Sequence, residues 1–309
     1  MQYSISILSD QSRIPEVISL FRTGLGETSV EHWVWRLFTD NGQEDRPFAV
    51  IAEDETSRMV GISTVIPTRY GASQKKCISF CDWVVHPDYR GQGLIHRIYN
   101  FICDYFSQRG YDFILNFPNP NSYPILRRYG FEDLTGVASW NSKTRLFALR
   151  HRTNNRAHQG VSYRFSERCP LTTLPNPKEN RLYRTPEYLS WKYDQNPDVT
   201  YAWLTLWQDS DLLGYFVYTL TKGRLRTAVN VYDWDYYSTQ DAPFRYAISL
   251  LRGLGSFVSF WGIYSGDLLE LLKQSGLQSH PGKTKCIVRP MQPEGLPDQL
   301  IITRADTDY

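Results

Sequence analysis

No Cys-x-x-Cys pair occurs in this chain, and its five cysteines, Cys77, Cys81, Cys103, Cys169 and Cys286, are an odd number. That pattern supports neither a disulfide framework nor a zinc ribbon, so no metal is expected and the thiols are read as reduced packing residues. No charge of one sign prevails either: 34 Lys and Arg against 32 Asp and Glu leave a formal charge of +2. A nucleic acid or an anionic membrane surface therefore has no global electrostatic pull on the chain, and the expected partner is small. Long apolar runs are missing too. LLGYFVY at 212–218 is among the longest, far short of the roughly 18 residues a membrane span needs. The opening MQYSISILSDQSRIPEVISLF lacks a basic leader, and Asp10, Arg13 and Glu16 interrupt it, so the expectation is a cytoplasmic chain without a signal peptide.

At 309 residues the chain is long enough for two domains, each with its own core. Aromatic residues make up 15 %, which points to a large core and a packed interface between domains, with a stacking surface for a sugar ring as the alternative. FAVIAED (48–54), RMVGISTVIPTRYG (58–71) and CISFCDWVVHP (77–87) read as strands. IHRIYNFICDYFSQRG then carries a 3.6-residue apolar stripe ending at Gly110, where a helix C-cap glycine belongs. DFILNF follows as a short buried strand, NSYPILRRYGF as a short helix closed by Gly130, and VASWNSKTRLFALR as a long final strand or hairpin arm. This order predicts an α/β fold with a sheet of mixed direction.

The second half repeats that grammar. EHWVWRLFTDN (31–41) aligns with EYLSWKYDQNP (187–197), RMVGISTV (58–65) with DLLGYFVY (211–218), FCDWVV (80–85) with VYDWDY (231–236), and RRYGF (127–131) with KQSGL (273–277). The separations shrink in order, from 156 to 153 to 151 to about 145, as small loop deletions would make them. Two copies of one fold are expected, 1–155 and 156–309, joined across the polar stretch RTNNRAHQG.

The densest chemistry lies in VVHPDYRGQGLIHRIYNF, 84–101. A strand stops at Pro87, a glycine-rich turn follows and a helix begins near Leu94, so the free N–H groups at the helix start face whatever sits on the turn. Gly91 and Gly93 let the backbone curl close to an anion, and Arg90 adds a forked cation. The stretch contains neither GxxxxGK[ST] nor GxGxxG, so neither a triphosphate loop nor a Rossmann site is indicated. In the second copy Asp241, Ala242 and Pro243 occupy the place of this turn, and a proline removes one of the donors that an anion cradle needs. That copy should bind no such ligand. It is left to close an acceptor cleft, to supply specificity residues or to form a homodimer contact, with Asp233 and Asp235 as relics.

Val85, Pro87, Arg90, Gly91 and Gly93 resemble the acetyl-CoA loop V-x-P-x-x-R-G-x-G of the GCN5-related N-acetyltransferase (GNAT) superfamily. A second family pattern is matched by Asn119, Ser122 in the place of Ala, Leu126 in the place of Tyr, and Gly130-Phe131. The resemblance implies two tandem GNAT-like domains, each a mixed, mostly antiparallel sheet flanked by helices, with the second copy degenerate. It implies acetyl-CoA as co-substrate. The pyrophosphate would lie on the amides of Gly91, Gln92, Gly93, Leu94 and Ile95 beside Arg90, and the pantetheine arm along Trp83, Val84 and Val85, with Asn119 and Ser122 flanking it. Ile95 stands where the family usually has Gly or Ala, and the tyrosine that often protonates the leaving thiolate is Leu126 here.

Among proton-handling groups, Asp82 on the strand before the loop is the candidate base. Alternation puts it on the face opposite Trp83 and Val85. His86 is the second candidate base, and Tyr123, three residues before Leu126, is the substitute acid. Loops 22–33 and 66–74 are expected to line the acceptor cleft. The implied function is N-acylation of a small amine. FPNPNSY (117–123) resembles a subgroup met in cell-surface polysaccharide contexts, which suggests an amino sugar. The alternatives are a tandem-GNAT transferase that uses aminoacyl-tRNA and a non-catalytic CoA-binding protein.

Overall fold

The computed structural model describes residues 2–134, 137–142, 160–175, 180–224, 226–297 and 300–307. Its first half runs β1 (Ser4–Ile7), α1 (Ile14–Arg22), α2 (Val30–Phe38), β2 (Phe48–Glu53), β3 (Met59–Tyr70), β4 (Lys75–Val85), α3 (Leu94–Ser107), β5 (Phe113–Asn116), α4 (Tyr123–Arg128), β6 (Glu132–Leu134) and β7 (Ala138–Ser142). The rest of the expected final strand, 143–150, and the expected joint at 152–159 lie outside the described residues. The second half runs β8 (Val161–Ser166), α5 (Pro186–Leu189), β9 (Ala202–Gln208), β10 (Asp211–Lys222), β11 (Thr227–Tyr236), α6 (Asp241–Leu254), β12 (Phe257–Ile263), α7 (Gly266–Gln274), β13 (Leu277–Pro281), β14 (Cys286–Pro290) and β15 (Ile302–Thr303).

Two mostly antiparallel sheets result, and their strand orders correspond. The first is β1-β2-β3-β4-β5-β14-β6, and the second, read from the matching edge, is β8-β9-β10-β11-β12-β7-β13, with β15 added on β12. The repeat is legible in that correspondence, except at one place in each sheet. The slot between β5 and β6 is filled by β14 from the second half, and the slot between β12 and β13 by β7 from the first. A division near residue 155 would have each half build its own sheet. Instead the halves exchange a strand, β14 completing the first sheet and β7 the second.

Each sheet buries its helix-facing side by ordinary amphipathic packing. On α3, Leu94, Ile98, Ile102 and Phe106 meet Val50, Val60, Ile78 and Ile114; α1 and α2 cover the opposite face through Val17, Leu20, Trp33 and Leu37. Between the halves lies a shared core in which Trp35, Tyr70, Cys77 and Phe113 pack with Leu182, Tyr188, Trp191 and Tyr215. At its centre the matched tryptophans stack with centroids 5.0 Å apart. Trp35 Nε1 donates to the Trp191 carbonyl at 2.8 Å, and Trp191 Nε1 donates to the Trp35 carbonyl at 3.2 Å. The helix starts match as well: Ser29 accepts from His32 N, and Thr185 from Tyr188 N.

Candidate active site

Strands β4 and β5 pair in parallel at only two positions, Cys77↔Phe113 and Ile78↔Ile114, and then part. Past the split the buried Asn116 takes over, its Oδ1 accepting from Phe80 N at 2.7 Å. A cavity of about 850 Å³ opens there. Its walls include the free edge of β4 from Ser79 to Val85, the turn at Arg90, Gly91 and Gly93, the first turn of α3, and Asn116 to Asn119, Asn121, Ser122, Ile125 and Leu126 of the segment that follows β5.

A bulge shapes the β4 wall. Asp82 has φ of 56°, and the β3–β4 register slips between Ile62 and Thr64, a strained conformation held by its surroundings. Asp82 reaches Arg36 on the α2 side while Trp83 and Val85 pack in the α3 cluster, so it faces away from them as alternation expects and still borders the cavity. Arg36 of α2 holds Asp82, with Nη1 donating to Oδ2 at 2.6 Å. The Trp83 indole N–H is buried without a hydrogen-bond partner among the described residues. Burial pushes the neighbouring Cys81 thiol up to about 12, with Asp82 adding to the shift, so it stays protonated.

The turn that follows is built for a close approach. Gly91 and Gly93 have φ of 76° and 74°, and a Cβ added at either would meet nothing within 4 Å, so the glycines leave open space in a conformation other residues avoid. Gly93 caps α3, and the Arg97 N–H is donated back to its carbonyl. The amides of Leu94, Ile95 and His96 therefore project off the helix end. Arg90 Nε donates to the Val85 carbonyl at 3.2 Å, which fixes the guanidinium at the cavity wall. Ile95 is half-buried on that wall. Together these features fit a ligand with an anionic head on the turn and an extended arm along β4.

The remaining candidates scatter. Asn119 and Ser122 line the cavity, with Asn119 Oδ1 accepting from the backbone N–H groups of Asn121 and Ser122 ahead of α4. Gln92 turns away and accepts from Tyr3 Oη. His86 is outside the cavity lining: its Nε2 lies 3.1 Å from Arg58 Nη2 and its Nδ1 accepts from Asp88 N. Tyr123 is outside it as well, because its hydroxyl donates to the Asp133 carboxylate at 2.8 Å, a bond that raises its titration point. Leu126 is buried on the cavity wall. Of the two expected loops, Gly24 and Leu25 reach the cavity, whereas Arg69 to Gly71 pair with Arg181 to Tyr183 of the second half.

Sequence reasoning missed four contributors. Arg36 and Asn116 are polar residues in otherwise apolar segments, a signal open to use. Asp306 and Thr307 come from the far end of the chain and line the same cavity. Asp306 is buried, accepting from Tyr70 Oη at 2.7 Å and from Thr303, and burial raises its titration point.

In the second half the corresponding space is closed. Strands β11 and β12 pair at four positions, Ala228↔Phe257 to Val231↔Phe260, and β15 then pairs with β12. Gly262 permits this approach, since a Cβ there would sit 2.0 Å from the Ile302 carbonyl oxygen. Asp233 and Asp235 are not relics but buried partners of Arg184 and Arg181. Arg184 spans both Asp233 oxygens at 2.7 Å, and Tyr193 Oη donates to Oδ2 at 2.9 Å.

Comparison with known proteins agrees with this geometry. A family model for an acetyltransferase (GNAT) domain matches residues 7–133. A probable N-acyltransferase from Enterococcus faecalis superposes with a TM-score of 0.67 at 12 % identity, over 96 % of this chain and 74 % of its own. A GCN5-related N-acetyltransferase from Anabaena variabilis gives 0.67 at 14 % identity, over 94 % and 73 %. A tandem GNAT protein from the clavulanic acid biosynthesis pathway gives 0.51 at 10 % identity, over 95 % of this chain and all of that one. At such identities the likeness is one of fold. No curated protein sequence matches the chain.

Proposed function

We propose, from the match of residues 7–133 to an acetyltransferase (GNAT) domain and the likeness in fold to a tandem GNAT protein, that the chain is an acyl-CoA-dependent N-acyltransferase that moves an acetyl group to a small amine such as an amino sugar. The observation that carries this reading is the cavity itself. It joins a positive-φ glycine turn at a helix start, an unpaired strand edge and a carboxylate on one wall.

Acetyl-CoA would supply the activated acyl group. The residues do the rest. Backbone amides at Gly91 to Ile95, with Arg90, would hold the pyrophosphate, and the free edge at Trp83 to Val85 would orient the pantetheine arm. Asp82 would take a proton from the incoming ammonium, directly or through water, leaving the neutral amine as nucleophile. No covalent enzyme intermediate is needed. Asp82 lines the cavity and neither His86 nor Tyr123 does, so Asp82 is the better placed base, and the departing thiolate leaves without an acid from either of the other two.

The test is calorimetry with acetyl-CoA, followed by thiol release with a panel of amines that includes glucosamine. One bound acetyl-CoA per chain and amine-dependent thiol release are expected. No heat and no thermal stabilisation by any CoA species would sink the proposal, and binding without turnover on any amine would favour the CoA-sensing reading.

A further inference from the structure

Helix α2 buries a cation with few partners. Arg36 is 2 % exposed, and its Nε and Nη2 have no hydrogen-bond partner among the described residues. Its hold on Asp82 runs through Nη1 alone. A buried guanidinium has no water to fall back on, so each contact it does make weighs heavily on where it sits. The second contact of Nη1 is His32 Nε2, 3.4 Å away and one helical turn earlier.

Guanidinium only donates, so His32 accepts at Nε2 and its ring proton lies on Nδ1. There it meets the carboxylate of Asp198, which comes from the second half. Asn196 holds that carboxylate's loop, its Oδ1 accepting from Asp198 N at 2.9 Å and Val199 N at 3.1 Å. The rings of Trp33 and Trp35 stand edge-on to the imidazole at 5.6 and 5.7 Å. They restrict its rotation and add no titrating group.

We infer that His32 and Asp198 are positioning residues for Asp82, acting through Arg36. Asp198 selects the tautomer, His32 then presents a lone pair to Arg36, and the guanidinium is kept against the carboxylate on the cavity wall. This rests on the role proposed above for Asp82. The charged groups facing His32 are Arg36 on its own helix and Asp198 opposite, with Asp82 beyond Arg36. A proton on Nε2 would set an N–H against Arg36 Nη1 and push the guanidinium off Asp82. Double protonation of His32 should therefore lower turnover.

The first measurement needs no acceptor: ¹⁵N spectra of the histidine-labelled full chain should show neutral His32 protonated on Nδ1, and a proton on Nε2 overturns the inference. The second is thiol release from acetyl-CoA with the amine found active in the panel. His32→Leu should lower kcat about thirtyfold with the KM for acetyl-CoA unchanged, and should have no further effect in an Asp82→Asn background. His32→Gln keeps an acceptor and a donor but does not titrate; it should restore most of the turnover and lose the acid limb of the pH profile. Equal impairment by Gln and Leu with an unchanged pH profile marks a packing role and overturns the inference, as does a His32→Leu deficit that persists in Asp82→Asn. Normal turnover of His32→Leu beside an impaired Asp82→Asn removes this inference alone, whereas normal turnover of Asp82→Asn removes the proposed base.

Discussion

Between β4 and β5 two residue pairs hold the strands before they part, and the space beyond is a cavity walled by Asp82 and Trp83. Between β11 and β12 four pairs hold, the chain's own β15 lies along the far end, and the matched Asp233 is wholly buried under Arg184 and Tyr193. The same Asp-Trp pair on the same strand thus serves two ends. Arg36 grips one oxygen of Asp82 from one side and leaves the residue partly open to the cavity, whereas Arg184 grips both oxygens of Asp233. A carboxylate is available for proton transfer only while its valences are not all spent on holding the fold, and that allocation, rather than the strand pattern, separates the two copies.

The comparison can be broken at its base by separating the halves. Residues 1–155 expressed alone lack β14, so β6 has no strand to join it to β5. They should show no cooperative unfolding transition by circular dichroism, and co-expression with 156–309 should restore one; a stable, folded 1–155 would mean that the exchange is dispensable. Next come the matched aspartates. Asp233→Ala should cost about 3–5 kcal/mol in urea titrations by stranding the buried Arg184. Asp82→Asn should instead lower kcat about a hundredfold with little change in acetyl-CoA affinity. Similar losses of stability from both would erase the distinction.

Two glycines sharpen it further. Gly93 and Gly266 both have positive φ, with open space where a Cβ would stand, so Ala at either should cost about 1–2 kcal/mol in backbone strain. Gly93→Val should in addition weaken acetyl-CoA at least about tenfold, while Gly266→Ala should leave that affinity alone; calorimetry on the two variants decides. The smallest effect is reserved for Tyr123→Phe. With its hydroxyl given to Asp133, turnover should stay within about twofold of the parent, and a larger loss in thiol release would return Tyr123 to the site.

Much of this architecture is written locally. Strand alternation, the Gly110 and Gly130 stops and the Arg90-Gly91-x-Gly93 turn depend on neighbours a few residues away, and each lies where its pattern puts it. What stayed hidden is whatever depends on distant partners. β7 and β14 fill corresponding slots in opposite sheets, and nothing in ASWNS or CIVRP names the copy in which each pairs. The bulge at Asp82 needs a three-dimensional register slip against β3, and Arg36 reaches Asp82 from 46 residues away. His86 and Tyr123 sit close to the motif in sequence, yet Arg58 and Asp133 hold them elsewhere.

The exchanged strand also sets a timetable for synthesis. Every residue of the glycine turn has left the ribosome long before Cys286–Pro290, the segment that must slide between β5 and β6. Until it arrives, β5 has an unpaired edge of four buried residues, Phe113–Asn116, exposed to whatever else is nearby in the cell. A nascent chain of this protein therefore spends most of its translation with the glycine turn synthesised and the sheet unsealed, a long window in which a chaperone or a second nascent copy can occupy the gap.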